Sequence, residues 1–277
     1  MIRLAVFGKP VSQSLSPRIH GLFAQQFGLD VDYRAIEAEP GKLGLLVREL
    51  VNEGGRGCNI TAPLKNEAWR IATRCSDAAN RAQAANTLVF AGTEWFADNT
   101  DGGGLVSDLR RLRGDRLGSA RICVLGAGGA AAGVLAALFA EKPEEVVIAN
   151  RTRDRAVDLR DRHSDLGRVT ARTPAELSES EPFDLLINAT SLGHSGAAPD
   201  IEPAWLRANG LCYDMNYGPA SAPLAKRCSE QGIRYSDGLG MLVGQAALSF
   251  RLWTGRSPET KPVLESLRDD SPARSPD

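Results

Sequence analysis

"VLGAGGAAAG", Val124–Gly133, decides how the rest of the chain is read. Gly126, Gly128 and Ala131 fit the spacing G-x-G-x-x-A. The strand-like "RICVLG", Arg121–Gly126, leads into it and an apolar, helix-length segment follows. In that setting the glycines let the main chain turn tightly and come close to a pyrophosphate, whose charge rests at the N-terminus of the helix. A glycine-rich turn without a ligand is the plain alternative, and the strand before and helix after it argue against that. The uncharged run Ile122–Ala140 is broken by glycines at 126, 128, 129 and 133, which suits a strand, a turn and a helix better than a membrane span.

Downstream, the strand-like "EVVIAN" ends at Asn150 and runs into "RTRDRA". The end of the second strand of a dinucleotide-binding unit meets the adenosine ribose, where an NAD-selective site commonly places an acid on the 2′-hydroxyl. Asn150, Arg151, Thr152 and Arg155 suit a 2′-phosphate instead, because guanidinium forks and a hydroxyl replace the acid. NADP (as NADPH) is the expected cofactor. The local alternative is a solvated basic turn, partly neutralised by Asp154 and Asp158.

On either side, short β-branched runs alternate with helix-length segments, the pattern of parallel sheets covered by helices. "DLLINAT" and "LCYDM" continue the second series. The first series has "RLAVFG" and "DYRAI" as strands, Ser16-Pro17 as an N-cap and first helical residue, and a helix over Pro40–Glu53. "EGGRG" then feeds "CNI", and "NTLVF" and "EWFA" flank Ala91-Gly92-Thr93 as a hairpin. The fold class is therefore α/β, in two domains that meet in or just after "DNTDGGG", Asp98–Gly104. The polar, proline-containing tail, 271–277, is expected to be disordered.

The composition sets limits. With 277 residues and 43% hydrophobic content the chain can bury a substantial core. Lys and Arg number 33 against 34 Asp and Glu, so no net field draws it toward nucleic acid or anionic lipid. Five scattered cysteines with no CxxC pair read as thiols in a reducing compartment rather than as a disulfide framework or a metal site. "MIRLAVFGKP" has one early arginine and then a strand-like run, so no export signal is expected. The expectation is a cytoplasmic protein with a small-molecule substrate, no nucleic-acid or membrane partner and no metal.

A dinucleotide fold names no reaction, so the other domain must supply the substrate chemistry. Reduction of a carbonyl needs a proton donor near its oxygen. Lys65 and Asp101 can fill that need, the lysine exchanging the proton and the carboxylate positioning the ammonium. Taken alone, an exposed lysine and a turn or capping aspartate would explain them equally well.

Several separated motifs remove that ambiguity. "FGKPVSQSLSPRIH", "NITAPLK", "AANTL" and "DNTDGGG" are followed by "GAGGAA", "NRTRDRA", "NATSLG", "YDMNY" and "DGLGMLVGQAALSF". Together, in this order, they resemble the shikimate dehydrogenase family along nearly the whole chain apart from the tail. The resemblance implies a discontinuous substrate-binding and catalytic domain, 1–104 plus 239–270, a Rossmann-like NADP-binding domain, 105–238, and a cleft between them. It implies Lys65 as catalytic acid/base with Asp101 as its partner, and Ser14 and Ser16 on the substrate carboxylate. Asn59, Thr61, Asn86, Asp101, Tyr217 and Gln245 would surround the ring hydroxyls. Gly126, Ala127, Gly128, Gly129 and Ala130 would take the pyrophosphate, Asn150, Arg151, Thr152 and Arg155 the adenosine end, and Met215 and Gly238 the nicotinamide.

Asp77 matches a position sometimes counted with the cofactor, and an exposed helix-end acid explains it as well. Gln13, His194 and Asn216 depart from the family pattern of His, Met and an apolar residue. The implied activity is NADPH-dependent reduction of 3-dehydroshikimate to shikimate, in a monomer or a homodimer. A quinate- or NAD-using relative and a non-catalytic NADP sensor are the alternatives.

Overall fold

The computed structural model of the protein describes residues 1–114 and 117–269. The tail expected to be disordered, 271–277, lies outside them. Two compact units emerge, Met1–Thr100 with the chain from Leu242 on, and Asp101–Met241.

The first unit begins with β1 (Ile2–Gly8), α1 (Ser16–Gln26), β2 (Val31–Glu37), α2 (Leu43–Asn52) and β3 (Gly55–Ile60). It continues through α3 (Lys65–Ile71), β4 (Arg74–Cys75), α4 (Asp77–Ala82), β5 (Thr87–Ala91) and β6 (Glu94–Asp98). Its sheet has the order β2-β1-β3-β5-β6-β4. β1 pairs in parallel with β2 and β3, while the β5–β6 hairpin, Ala91 facing Glu94, joins antiparallel to β3. On one face Phe7, Leu43, Val47, Leu50, Ile60 and Leu88 are among the side chains that build a core under α2 and α3. α2 starts three residues later than the sequence suggests, because Gly41 has φ +82° and ends the Pro40 turn outside the helix. α1 begins at Ser16 itself, and its capping position is Leu15, with no side-chain cap.

The second unit holds α5 (Asp101–Arg113), β7 (Arg121–Leu125), α6 (Gly129–Ala140), β8 (Glu145–Ala149), α7 (Arg153–Asp161) and β9 (Val169–Arg172). It ends with β10 (Phe183–Asn188), β11 (Leu206–Asp214), α8 (Ala222–Glu230) and β12 (Tyr235–Ser236). All pairings are parallel, in the order β12-β11-β10-β7-β8-β9. The direction of travel across the sheet reverses at β7, so the ends of β7 and β10 flank the crevice where such sheets bind ligands. At the opposite end of the sheet, Arg121 and Glu145 form a buried ion pair at 2.8 Å.

α9 (Leu239–Thr254) and α10 (Thr260–Asp269) complete the described chain. The units divide at Thr100/Asp101, inside the "DNTDGGG" stretch, and at Met241/Leu242, whereas the resemblance implied 104/105 and 238/239. Packing accounts for both differences. A Cβ on Gly102 would lie 2.7 Å from that of Ala137, so the start of α5 packs on α6. A Cβ on Gly240 would lie 2.1 Å from Asp108 Oδ1, and that buried carboxylate also accepts the Tyr213 hydroxyl at 2.8 Å. Among the described residues no helix is long and apolar enough to cross a membrane.

Candidate active site

In the first unit, the polar residues of three separate motifs meet in one buried network. Asn86 donates to Thr100 Oγ1 at 2.9 Å and to Gln245 Oε1 at 3.0 Å, while its Oδ1 accepts the Thr100 N–H at 2.8 Å. Thr87 and Ser249 hydroxyls lie 2.7 Å apart, and Ser249 donates to Gln245 O at 3.1 Å, one turn back on α9. The main chain stitches the Ile60–Lys65 segment to this network. Ile60 N–H donates to Asn86 O and Ala85 N–H to Lys65 O, both at 2.8 Å. Lys65 is half-buried as the first residue of α3.

Asn59 is tied into the same network. Its amide donates to Asn86 O at 3.0 Å, Thr87 Oγ1 at 3.2 Å and Ser249 Oγ at 3.0 Å, and its Oδ1 accepts the Tyr33 hydroxyl at 2.7 Å. Its polar capacity is thus committed to holding the network. Thr61, by contrast, has a hydroxyl without a hydrogen-bond partner among the described residues. Its methyl occupies the space above Gly8, where a Cβ would lie only 2.2 Å away.

Ser14 Oγ accepts the Ser16 N–H at 3.2 Å, and the Ser16 side chain is buried without capping α1. The local reading of Ser16 as a helix cap is therefore not what the structure shows. Asp77 is an exposed acid in the first turn of α4, whose cap is Ser76, accepting the Ala79 N–H at 3.1 Å.

In the second unit, Asp101 is buried in the first turn of α5. Gly126 has φ +106°, a conformation that favours glycine, and a Cβ there would lie 3.1 Å from Ala189 O. Gly128 precedes α6 and Gly129 opens it, and a Cβ on either would meet nothing within 4 Å. With Ala127 and Ala130 beside them, the start of this twelve-residue helix has no side-chain cap and no acid in its first turn. A phosphate fits such an open, positively polarised helix end.

At the end of β8, Asn150 Nδ2 donates to Thr152 O at 2.8 Å and shapes the turn, and Thr152 precedes α7 without capping it. Arg153 is paired with Glu176. Arg151 and Arg155 are exposed and pair with no carboxylate among the described residues, Asp154 and Asp158 included. Two uncommitted guanidiniums at an open helix start fit a 2′-phosphate.

Met215 and Gly238 come together, because Gly238 lies so close to Met215 O that a Cβ would be 2.5 Å from it. Tyr217 is half-buried with no hydrogen-bond partner for its hydroxyl among the described residues, and burial raises its pKa. His194 is exposed in the turn Leu192–Ser195, and Gln13 is exposed before Ser14. Reading the sequence missed Thr87, Thr100, Ser249 and Tyr33 in the first unit. Ser249 carried a signal, since it stands four residues after Gln245 and so shares its helix face.

Comparison with known proteins agrees with both halves. The profile "Shikimate dehydrogenase substrate binding domain" matches residues 6–88, "Shikimate / quinate 5-dehydrogenase" matches 108–195, and "Shikimate 5'-dehydrogenase C-terminal domain" matches 238–268. The shikimate dehydrogenase (NADP(+)) of Dechloromonas aromatica is 48% identical over 264 residues, covering 95% of this chain and 96% of that protein. That of Methylococcus capsulatus is 46% identical over 267 residues, covering 96% and 95%.

Among solved structures, an Ael1 enzyme from Pseudomonas putida superimposes with a TM-score of 0.86 at 38% identity, over 96% of this chain and 98% of the other. Shikimate 5-dehydrogenase from Thermus thermophilus, in complex with NADP(H) and shikimate, gives a TM-score of 0.83 at 33% identity, over 97% and 99%. With relatives of one name aligned along nearly its full length, the chain belongs to the shikimate dehydrogenase (NADP(+)) family of oxidoreductases.

Proposed function

We propose that the chain catalyses the reversible, NADPH-dependent reduction of 3-dehydroshikimate to shikimate in the cytoplasm. The observation that carries the reading is the buried network around Asn86 and Gln245. Its members fix one another before any substrate arrives, with the free Thr61 hydroxyl and half-buried Lys65 on the adjoining segment. A small polyhydroxylated acid needs neutral donors and acceptors at fixed angles; the Thr61 hydroxyl is one, and Asn86 and Gln245 meet the ring by trading bonds of this network for bonds to its hydroxyls.

When bound, NADPH supplies the hydride that reduces the ketone carbon. Lys65 gives a proton to the carbonyl oxygen in that direction and recovers it in the reverse, and Asp101 is the carboxylate that serves the same step. Ser14 and Ser16 take the substrate carboxylate, and Thr61, Asn86, Gln245 and Tyr217 take the ring hydroxyls. Asn59 acts by holding Asn86 and Thr87. Gly126, Gly128 and Gly129 let the pyrophosphate approach the main chain, and Arg151 and Arg155 hold the 2′-phosphate.

The test follows oxidation of NADPH and NADH with 3-dehydroshikimate and, separately, with 3-dehydroquinate. Turnover with NADPH and 3-dehydroshikimate alone is expected; comparable rates with NADH or 3-dehydroquinate would move the chain to a broader specificity, and binding without turnover would make it a sensor. Lys65→Ala should lower kcat by about 10²–10⁴ with shikimate binding changed only a few-fold, and near-normal kcat would remove Lys65 from the step.

A further inference from the structure

Where β10 and β11 end, four residues of the second unit close a hydrogen-bonded ring. Asp214, the last residue of β11, is fully buried. Its Oδ1 accepts Asn188 Nδ2 at 2.9 Å, Asn216 Nδ2 at 2.8 Å and the Asn216 N–H at 3.0 Å. Asn216 Nδ2 also donates to Thr190 O at 3.1 Å. Thr190 closes the ring by donating to Asn188 Oδ1, from its N–H at 3.1 Å and its hydroxyl at 2.7 Å.

The ring reaches the dinucleotide turn on one side and the Met215–Gly238 contact on the other. A Cβ on Gly126 would lie 3.3 Å from Thr190 Cγ2, so Thr190 packs on the glycine that turns the chain. Asn216 O accepts the Gly238 N–H at 2.9 Å, which keeps Gly238 against Met215. Asn216 is thus the member tied to the loops that follow β10, β11 and β12. A hydrocarbon side chain there would leave Thr190 O without this donor and Asp214 with one donor fewer, in a setting where such losses are costly.

We propose that Asn216 is a positioning residue for the cofactor, fixing Thr190 against Gly126 and Gly238 against Met215, so that these loops hold the nicotinamide half in one place. The proposal rests on the NADP reading above and deepens it. Asn216 does this through Asp214 and the main chain. The adenosine end, held at Asn150–Arg155 on the far side of β7, is independent of it.

The experiment compares two probes on the intact protein by calorimetry: NADPH, and adenosine 2′,5′-bisphosphate, which carries the 2′-phosphate but no nicotinamide. Asn216→Leu keeps the size and removes both amide donors. NADPH should bind about tenfold more weakly, the order expected for one or two net hydrogen bonds, and the bisphosphate should change by less than about twofold. Equal weakening of both probes would make Asn216 a general stabiliser of the unit, and no change in either would make it a spectator; both results overturn the proposal. If Asn216→Leu does not fold, Asn216→Ser, too short to span Asp214 and Thr190, makes the same comparison. Wild-type protein that binds neither probe would instead remove the NADP reading.

Discussion

At the scale of single residues, the three arginines of "NRTRDRA" look alike in sequence, and distant neighbours separate them. Arg153 is held by Glu176, 23 positions away, while Arg151 and Arg155 have no such partner among the described residues. Arg151→Ala should therefore raise KM for NADPH by about 10- to 100-fold, the value of one charge-assisted contact, and leave KM for NADH within about twofold. Arg153→Ala should change neither by more than about threefold, and a loss matching that of Arg151→Ala would show that Glu176 releases it to the cofactor. The motifs of the candidate site were legible as motifs because each is local. Partners far along the chain were not, and so the commitment of Asn59 to Tyr33 and Ser249 could not be read from "NITAPLK". His20 is another residue explained only by packing. It is stacked 4.4 Å from Tyr33, fully buried, and among the described residues neither ring nitrogen has a hydrogen-bond partner. Burial lowers its pKa from 6.5 to about 3, against a smaller upward pull from Asn59. The unfolded chain therefore takes up this proton first: the contribution to stability is whole above pH 6.5 and is lost as pH falls toward 3. Urea unfolding at pH 7 and 5 should show wild type losing about 1–2 kcal/mol more than His20→Phe, at about 1.4 kcal/mol per pH unit. Equal slopes would mean that acid instability arises elsewhere.

At the scale of elements, the sequence showed every strand in the middle of both sheets and missed β4, β9 and β12. These hold two, four and two residues, and each lies at the edge of its sheet. Central strands are covered on both faces and read as apolar runs, whereas a short edge strand buries too little to leave a pattern. Close approach between elements was equally hidden. Gly57 on β3 faces Trp253 of α9, so that a Cβ would lie 2.2 Å from the indole nitrogen and 2.4 Å from Leu88 O, which accepts that nitrogen at 2.9 Å. Gly57→Ala should displace the ring and cost about 1–3 kcal/mol, at roughly 2–4 °C in Tm for each. Gly21, inside α1, has nothing within 4 Å of its Cβ position, so Gly21→Ala should be neutral or raise Tm through helix propensity. Thermal scans of the pair test the signs, and a Gly57→Ala protein as stable as wild type would mean that Trp253 has room to move.

At the scale of the whole molecule, composition and alternation gave an α/β chain, and the glycine turn at Gly126 gave the nucleotide-binding half. Only the resemblance joined α9 to the first half, because an apolar helix carries no mark of which sheet it will cover. The division at Met241/Leu242 falls inside that helix, so its first three residues belong to the second unit and the rest to the first. Synthesis runs from the N-terminus, and the second unit is complete once Met241 has emerged. The first unit is not, although its sheet came out earlier: Asn59, Asn86 and Thr87 still lack Gln245 and Ser249, and Leu88 O still lacks the Trp253 indole. The half translated first is thus the last to close. Until its final helices leave the ribosome, the nascent protein carries an open polar seam, which makes this stage of its birth the one most exposed to misfolding and to chaperone capture.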